Sequence, residues 1–414
     1  MKLRDYQEEI SDQAAEKLNK HKIVYLAMEV RTGKTLTALA TAEKNGSKNI
    51  LFVTKKKAIK SIENDYNNFG FNFELTVINY ESVHKVKGSF DIIIIDEVHS
   101  CGAFPKPSKR TKLLKEIAKN LPLIFLSGTP SPESYSQLYH QFFISSYSPF
   151  AEHKNFYSFA KLFVNIKQKY LYGNAINDYS EGKKDLILNK VEHLFIRKTQ
   201  KSAGFTKAIE ERILYSGLNE NIIKLIKHLK KHQVYKMKNG ETILADTPVK
   251  LMQKTHQLCS GTIITEEGNY HILDKSKVEF IKEKFSNKKI AIYYKFKSEG
   301  ALIREYFNTT DSPEDFNENK NLVFCAQIVS GREGVNLSTA DYIVFYNIDF
   351  SALSYWQARD RMQSKTREKE NIVYWIFSDD EGIENSIYNT VLNKKDYTLN
   401  HFRNERKLFT KTNN

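Results

Sequence analysis

The chain has 414 residues, enough for two or three domains, and 41% of them are hydrophobic, which excludes a disordered composition. Its formal net charge of +14 favours a polyanionic partner such as nucleic acid, although a solvated lysine surface gives the same balance. Because the apolar runs are too short for a bilayer, no secretion signal is visible and the three cysteines lack metal or disulfide spacing, we expect a cytoplasmic protein with no membrane partner.

Up to about residue 145, short apolar strands alternate with helical stretches, which is typical of a parallel α/β sheet. The strands predicted in this part are 24–28, 49–53, 92–95 and 123–126. The alternation resumes after residue 275. The strands predicted there are 289–294, 322–325, 342–346 and 372–377.

The intervening segment is rich in Tyr, Phe and Lys and has amphipathic helical patterns such as residues 221–231. Asn239-Gly240 is a hairpin-like turn signal. We therefore predict an α/β fold with two parallel-sheet lobes, residues 1–145 and 276–414, and a mainly helical insertion and linker at residues 146–275.

A phosphate-binding loop follows the first predicted strand. Residues 28–35, Met-Glu-Val-Arg-Thr-Gly-Lys-Thr, precede a helical pattern, so backbone amides and a helix N-terminus would face phosphate oxygens. Lys34 is expected to reach the β- and γ-phosphates of ATP, and the Thr35 hydroxyl to ligate Mg²⁺. Met28 stands where this loop usually begins with Gly. The residues predicted to bind ATP here are Arg31, Thr32, Gly33, Lys34 and Thr35.

Two adjacent carboxylates end the buried strand at residues 92–95. Because the carboxyl ends of parallel strands share one edge of a sheet, we expect Asp96 and Glu97 beside the phosphate loop. Asp96 would hold Mg²⁺ through water, and Glu97 would orient and deprotonate the attacking water. The alternative is a strand followed by an ordinary acidic turn, which the Lys34 loop disfavours.

Three motifs, in this order, resemble the superfamily-two helicases. Leu3-Arg-Asp-Tyr-Gln7 is similar to their adenine-reading element, Asp96-Glu-Val-His99 to their D-E-x-H motif, and Ser127-Gly-Thr-Pro130 to the motif that couples hydrolysis to strand movement. The resemblance implies two RecA-like lobes and adenine contact by Gln7. It implies coupling roles for His99, Ser127 and Thr129.

The second half of the chain resembles the Swi/Snf-like branch. Residues 330–337, Ser-Gly-Arg-Glu-Gly-Val-Asn-Leu, are similar to its G-x-G-x-N-L segment, and residues 355–361, Tyr-Trp-Gln-Ala-Arg-Asp-Arg, to its Q-A-x-D-R-x-x-R helix. Residues 195–198, 276–277 and 382–384 are similar to further elements, so the resemblance covers roughly residues 3 to 390. It implies that Gly334 and Asn336 contact the nucleotide and that Gln357 takes part in coupling.

By the same resemblance, Arg361 is an arginine finger that spreads the charge of the γ-phosphate in the transition state. The expected second finger, three residues on, is replaced by Ser364. The open alternatives are that Lys365 or Arg367 substitutes, that Arg359 assists, or that Arg361 acts alone.

Superfamily-two motors hold one strand mostly through its phosphates, which hydroxyls and backbone amides suit. The positions that match these elements, and are predicted to contact nucleic acid, are Thr54, Lys55, Tyr80, Ser82, Tyr293, Lys295 and Ser330. The structural alternatives are that Thr54 caps a helix and that Tyr80 belongs to the core.

The leading prediction is an ATP- and Mg²⁺-dependent DNA helicase or translocase, similar to compact phage members acting in replication, recombination or branch migration. A monomer is favoured, but the sequence leaves the oligomeric state open. One alternative is the translocating ATPase subunit of a restriction or defence complex. Another is a DNA-binding protein with a degenerate ATP site, which Met28 and Ser364 motivate. The presence of Lys34, Asp96 and Glu97 weakens that last alternative.

Overall fold

The computed structural model describes residues 2–171, 174–204, 209–331, 335–364, 367, 369–379 and 382–393. The chain divides after residue 205 into two compact units. Each unit is built on a six-stranded sheet in which every described strand pair is parallel.

The first unit, residues 1–205, contains seven helices and eight strands among its described residues. The helices are α1 (Asp5–His21), α2 (Lys34–Lys44), α3 (Ile59–Phe69), α4 (Lys109–Ile117), α5 (Gln137–Phe142), α6 (Phe156–Phe163) and α7 (Lys184–Val191). The strands are β1 (Ile23–Met28), β2 (Asn49–Thr54), β3 (Glu74–Asn79), β4 (Ile92–Asp96), β5 (Leu123–Leu126), β6 (Lys167–Leu171), β7 (Asn174–Asp178) and β8 (Phe195–Lys198).

The first sheet has the order β3-β2-β4-β5-β1-β8. Alternate residues of its central strands enter two separate cores, one on each face: Ile93 and Ile95 lie in one, and Ile92 and Ile94 in the other. Strands that are covered on both faces read as continuous apolar runs, which is why this part of the sequence predicts them well. Strand β5 lies between β4 and β1, so the carboxyl ends of these three strands are neighbours at one edge.

The second unit, residues 206–414, contains eight helices and ten strands among its described residues. The strands are β9 (Ile209–Tyr215), β10 (Val234–Lys236), β11 (Thr242–Leu244), β12 (Thr262–Ile264), β13 (Tyr270–Ile272), β14 (Ile290–Tyr294), β15 (Thr309–Thr310), β16 (Val323–Gln327), β17 (Tyr342–Phe345) and β18 (Asn371–Phe377). The helices are α8 (Glu220–His232), α9 (Pro248–Cys259), α10 (Ser276–Lys284), α11 (Lys297–Tyr306), α12 (Pro313–Glu318), α13 (Ile328–Gly331), α14 (Ala352–Arg359) and α15 (Ile383–Leu392).

The second sheet has the order β15-β16-β14-β17-β18-β9 and is also covered on both faces. Strand β14 shows this, because Ala291 and Tyr293 enter the core that α8 and α9 share, whereas Ile290 and Ile292 enter the core that α10 and α11 share. Short antiparallel hairpins, β10–β11 and β12–β13, accompany the main sheet.

The predicted α/β class with two parallel-sheet lobes is confirmed, and each of the eight predicted strands corresponds to a strand of the structure. The helix expected at residues 221–231 is α8, and Asn239-Gly240 lies in the β10–β11 turn, where Gly240 has φ +90°. The described part of segment 146–275 is less helical than expected: besides α6 to α9 it contains three antiparallel hairpins, β6–β7, β10–β11 and β12–β13. It also supplies β8 to the first sheet and β9 to the second. The boundaries at residues 145 and 275 stay predictions.

Candidate functional site

The loop after β1 has a conformation that only a few residue types accept easily. Arg31 has φ +62° and Gly33 has φ +83°, and α2 begins immediately afterwards at Lys34. A Cβ atom at Gly33 would collide with the side-chain amide of Gln7. The left-handed backbone favours glycine here, and a larger residue would also displace the Gln7 side-chain amide.

The first helix fastens one side of this loop. The Tyr6 hydroxyl donates to the Thr32 carbonyl at 2.9 Å, and Gln7 Nε2 donates to the Gly33 carbonyl at 3.1 Å. Gln7 Oε1 in turn accepts the Arg4 backbone N–H at 3.1 Å. Both ends of the buried Gln7 amide thus bind the chain itself, and its contact with adenine stays a prediction.

The end of β8 fastens the other side. The Glu29 backbone N–H donates to the Lys198 carbonyl at 2.9 Å, and Gln200 Nε2 donates to the Val30 carbonyl at 3.1 Å. The Gln200 backbone N–H also donates to Glu29 Oε2 at 2.6 Å. Sequence reasoning did not find Gln200, because its partners lie about 170 residues away along the chain.

Lys34 lies close to the two carboxylates at the end of β4. Its positive charge favours the ionised form of both Asp96 and Glu97. A Cβ atom at Gly128 would lie 3.4 Å from its Nζ. The predicted phosphate loop, the acidic pair and the Ser127-Gly-Thr-Pro130 segment therefore meet at one edge of the first sheet. The neighbouring carboxyl ends of β1, β4 and β5 account for this meeting.

The two carboxyl groups titrate differently. Burial and the neighbouring charge of Glu97 raise the pKa of Asp96 to about 6, and Lys34 and Thr54 oppose that rise. Burial would also raise the pKa of Glu97, but contact with His99 and the charge of Lys34 outweigh it and hold the pKa below its usual range. Glu97 has φ +50°, a left-handed conformation that costs energy for a residue with a Cβ atom and is concentrated at functional sites.

Two residues predicted to contact nucleic acid instead support Asp96. Thr54 is fully buried, and its hydroxyl donates to Asp96 Oδ2 at 2.8 Å. The Tyr80 hydroxyl donates to the Asp96 carbonyl, and Tyr80 is 3% exposed within the first core. Both side chains are buried in this structure, which favours the alternative of a core role for Tyr80; contact of Thr54 and Tyr80 with nucleic acid stays a prediction.

The three predicted coupling residues of the first unit are adjacent. His99 Nδ1 lies 3.1 Å from Glu97 Oε2 and 2.9 Å from Ser127 Oγ, and the Thr129 backbone N–H donates to Ser127 Oγ at 3.1 Å. A chain of polar contacts therefore joins Glu97 to the segment after β5. The coupling role itself stays a prediction.

The residues at this edge fit a nucleotide phosphate and a divalent cation. Lys34 offers an amine, the half-buried Thr35 a hydroxyl, and Asp96 a carboxylate supported by Thr54. The N-terminus of the 11-residue helix α2 adds backbone N–H groups and a partial positive charge. Oxygen ligands are those that Mg²⁺ prefers.

In the second unit, Arg361 lies in a short turn after α14 and is 8% exposed. Its Nε donates to the Gln357 carbonyl at 3.0 Å, and its own carbonyl accepts the Leu337 backbone N–H at 3.1 Å. The structure thus brings Arg361, the buried Gln357 and the segment that carries the exposed Asn336 together. Gly334, predicted to contact the nucleotide, lies outside the described residues.

Two of the candidates for a second arginine finger, Arg359 and Arg367, bind groups within the second unit. The Arg367 guanidinium donates to four backbone carbonyls, those of Ser338, Ala340, Asp341 and Glu370, at 2.7 to 3.2 Å. Arg359 is paired with Glu211 at 3.0 Å and with Asp360 at 3.1 Å. Both guanidinium groups are engaged within the unit, which disfavours them as fingers. Lys365 lies outside the described residues.

Two further positions predicted to contact nucleic acid are also engaged. Tyr293 is fully buried, and its hydroxyl donates to the Gly331 carbonyl at 2.7 Å, so it is a core residue here. Lys295 Nζ lies 3.2 Å from Asp349 Oδ1 and 3.3 Å from the centre of the Phe350 ring. Burial lowers the pKa of Lys295 although Asp349 opposes this.

The remaining three predicted contacts are more accessible. Ser330 is exposed, and Lys55 and Ser82 are half-buried. Contact between these side chains and nucleic acid stays a prediction.

Sequence reasoning missed a carboxylate that organises the second unit. Glu211, on β9, accepts hydrogen bonds from the Tyr355 hydroxyl at 2.7 Å, Trp375 Nε1 at 2.9 Å and the Tyr388 hydroxyl at 3.2 Å, besides its pair with Arg359. Its partners come from α14, β18 and α15. The short helix that precedes Arg361 is therefore tied to the edge strand through one carboxylate.

In the part of the chain that the structure describes, every helix is too short or too polar to cross a bilayer.

Residues 1–74 match the family model of the type III restriction enzyme, res subunit, a helicase-like ATPase. The match includes α1, the loop after β1 and α2, and it covers 74 of the 414 residues. It agrees with the resemblance of the first unit to superfamily-two ATPases. A search of the curated proteins finds no relative that matches the chain.

Proposed function

We propose that the first unit binds and hydrolyses ATP, and that the chain uses this hydrolysis to move along DNA. The observation that carries the proposal is the meeting of Lys34 with Asp96 and Glu97 at one edge of a parallel sheet, beside the N-terminus of α2. Three charged groups that are half-buried together in this way need a functional reason, because their burial alone is unfavourable.

The proposed roles follow from the chemistry of each group. Lys34 and the α2 N-terminus bind the β- and γ-phosphates, and Thr35 and Asp96 hold Mg²⁺, which when bound neutralises charge on the phosphate oxygens. Glu97 is ionised at neutral pH because its pKa is low. Its carboxylate orients the attacking water and accepts a proton from it. As the water oxygen bonds to the γ-phosphorus, the bond from that phosphorus to the β–γ bridging oxygen breaks, and ADP leaves with that oxygen. His99 contacts the Glu97 carboxylate and Ser127 contacts His99, so the two together position that carboxylate.

Movement on DNA is supported by the charge of +14 and by the helicase-like motifs of both halves. In the proposal the chain is a Swi/Snf-like superfamily-two translocase or helicase of the compact kind found in phages, acting in replication, recombination or branch migration. Arg361 is proposed as its arginine finger.

A second candidate is the motor subunit of a restriction system. The match of residues 1–74 to the res subunit of type III restriction enzymes favours it. In this reading the chain hydrolyses ATP and moves on DNA in the same way, but it acts together with other subunits that recognise or cut the DNA.

The decisive experiment is steady-state ATP hydrolysis with no nucleic acid and with single-stranded, duplex, forked and four-way DNA. Glu97→Gln should abolish turnover, because the amide cannot accept the proton of water. The matched control is Glu63→Gln, an exposed position on α3 of the same unit, which should keep full turnover. An absence of turnover in the unaltered protein with every DNA would refute the motor. Copurification with a nuclease would select the restriction candidate.

A further inference from the structure

The second unit has a groove that none of the residues predicted to contact ATP or nucleic acid lines. It is bounded by α8 and by the β10–β11 hairpin, with Leu273 at its base, and its volume is about 740 Å³. This is within the range of roughly 300–1,000 Å³ typical of small-ligand sites. The apolar residues that line it are Ile222, Leu225, Met237, Ile243 and Leu273.

The rim of this groove is basic and polar. Lys224, His228, Lys238 and Asn239 line it and are all exposed. The lysine nearest to an acidic group is Lys224, whose Nζ lies 3.7 Å from Glu220 Oε2 with both side chains more than 70% exposed. An exposed pair of this kind neutralises little of the local field.

The segment that bounds the groove is mostly positive, although the carboxylates of Glu241 and Glu267 lie beside β11. Residues 219–240 contain six lysines, two histidines and a single glutamate. The apolar stripe of α8, Ile222, Ile226 and Leu229, packs into the core, so the lysines of the helix project from the opposite side.

Aromatic rings lie beside the basic rim. Tyr235 is 37% exposed, and its ring meets the His228 ring edge-on with the centres 5.5 Å apart. The His228 ring also lies 4.6 Å from the His232 ring. Exposed rings next to lysines can stack with a nucleobase while the amines pair with its neighbouring phosphates.

We propose that this groove is a binding site for single-stranded nucleic acid, with one unstacked base in the apolar groove against Tyr235 and the flanking phosphates on Lys224 and Lys238. The site is distinct from the positions predicted to hold the strand during movement. The groove would therefore give the protein an additional anchoring contact. This inference rests on the proposed function only in taking nucleic acid as the partner.

A single strand fits better than a duplex, because the groove offers apolar depth that only a base free of its pair can fill. An acidic peptide would satisfy the lysines but would leave the apolar groove and the rings uncovered. The combination of apolar floor, exposed rings and basic rim is the one that single-stranded nucleic acid matches.

The first test measures binding of fluorescent oligothymidine and oligouridine of equal length to the full chain, without ATP, over a range of salt concentrations. The double variant Lys224→Gln with Lys238→Gln should bind the DNA or RNA strand at least about tenfold more weakly at low salt. The slope of log binding constant against log salt concentration should become shallower by about 1.4. This is about 0.7 for each of the two phosphate contacts that the variant loses. The control is Lys282→Gln with Lys284→Gln, two exposed lysines on α10, which packs against the opposite face of the second sheet.

Binding that is equal in the groove variant and in the control would overturn the inference. So would equally tight binding of polyglutamate, which would indicate a peptide site. The preference between oligothymidine and oligouridine identifies DNA or RNA as the ligand.

The second test distinguishes the base from the phosphates. An abasic strand should bind more weakly than oligothymidine of the same length. A strand carrying 5-iododeoxyuridine should form a photo-adduct on Tyr235 or His228 that mass spectrometry locates. Adducts found only outside residues 221–239 would overturn the inference.

These outcomes remain separate from those of the proposed function. If the unaltered protein shows no DNA-stimulated hydrolysis, the proposed function fails, but binding and cross-linking at the groove are still expected. Conversely, stimulated hydrolysis together with unchanged binding by the groove variant rejects the groove alone.

Discussion

Replacing Glu384 by glutamine should destabilise the second unit strongly, because it breaks a buried ion pair. Lys277 Nζ lies 2.7 Å from Glu384 Oε1, and the two side chains are 4% and 0% exposed. Glu384 Oε2 also accepts the Ser378 backbone N–H at 2.7 Å and the Ser378 hydroxyl at 2.8 Å. A glutamine oxygen keeps the bonds to Ser378, but its amide NH2 then faces the Lys277 ammonium, so the variant loses both the hydrogen bond from Lys277 and the charge that balances it.

Leaving one charge of a buried pair without its partner costs about 3–5 kcal/mol. Because the bonds to Ser378 are kept, we expect the lower end, about 3 kcal/mol, for Glu384→Gln. The matched control is Glu220→Gln on α8. Its pair with Lys224 is exposed and 3.7 Å long, so the loss should stay below about 0.5 kcal/mol.

The assay is urea unfolding followed by tryptophan fluorescence. The chain has two tryptophans, Trp356 and Trp375, and both belong to the second unit, so the signal reports that unit alone. Adding Lys277→Met to Glu384→Gln should restore part of the lost stability, because no unpaired charge then remains. If Glu384→Gln is no more destabilising than Glu220→Gln, the reasoning about the buried pair is wrong.

Three more predictions concern a histidine, an arginine and a glycine. Burial holds the pKa of His256 well below its ordinary value of 6.5, so below pH 6.5 the unfolded chain binds a proton that the folded chain does not. The free energy of unfolding of the second unit should therefore fall as the pH drops from 6.5 to 5.5, by at most about 1.4 kcal/mol per pH unit from this group. His256→Gln should reduce this dependence of stability on pH, measured by tryptophan fluorescence. An unchanged dependence would contradict the prediction. Arg367→Lys should cost about 2 kcal/mol or more in the same assay, because one amine cannot replace a guanidinium that binds four carbonyls, and a loss under about 0.5 kcal/mol would contradict the clamp. Gly33→Ala should weaken binding of a fluorescent ATP analogue at least about tenfold, because its Cβ collides with the Gln7 amide. The control is Gly46→Ala, where φ is +80° but nothing lies within 4 Å, and equal ATP affinity in both variants would show that the collision is unimportant.

The sequence predicts the central strands of both sheets and misses strands at their edges. Strand β4 is a run of four isoleucines buried on both faces, and such a run is typical of a central strand in a parallel sheet. Strand β9, Ile-Glu-Glu-Arg-Ile-Leu-Tyr, is an edge strand with alternating exposure and three charged residues, so its composition does not distinguish it from a polar linker. The edge strands β3 and β8 are similarly mixed in composition.

In the candidate site, too, some residues are predictable from the sequence and others are not. Lys34, Asp96 and Glu97 are predictable because each stands in a short motif next to a strand end. Gln200 and Glu211 are not, because their partners are 171 and 164 residues distant in the chain and only the fold brings them together. Tyr80 and Tyr293 are buried in this structure, which motif position alone does not reveal, and their contact with nucleic acid stays a prediction.

The attachment of the phosphate loop to Gln200 has a consequence for biosynthesis. Residues 28–35 are made early, but the hydrogen bonds to Glu29 and Val30 need a residue that leaves the ribosome about 170 positions later. A nascent chain or fragment that ends at residue 145 has β1 and α2 but lacks β8 and Gln200, so one side of its loop has no support. The newborn chain should therefore gain its affinity for nucleotide late, when the last strand of the first sheet is added rather than when the loop itself appears.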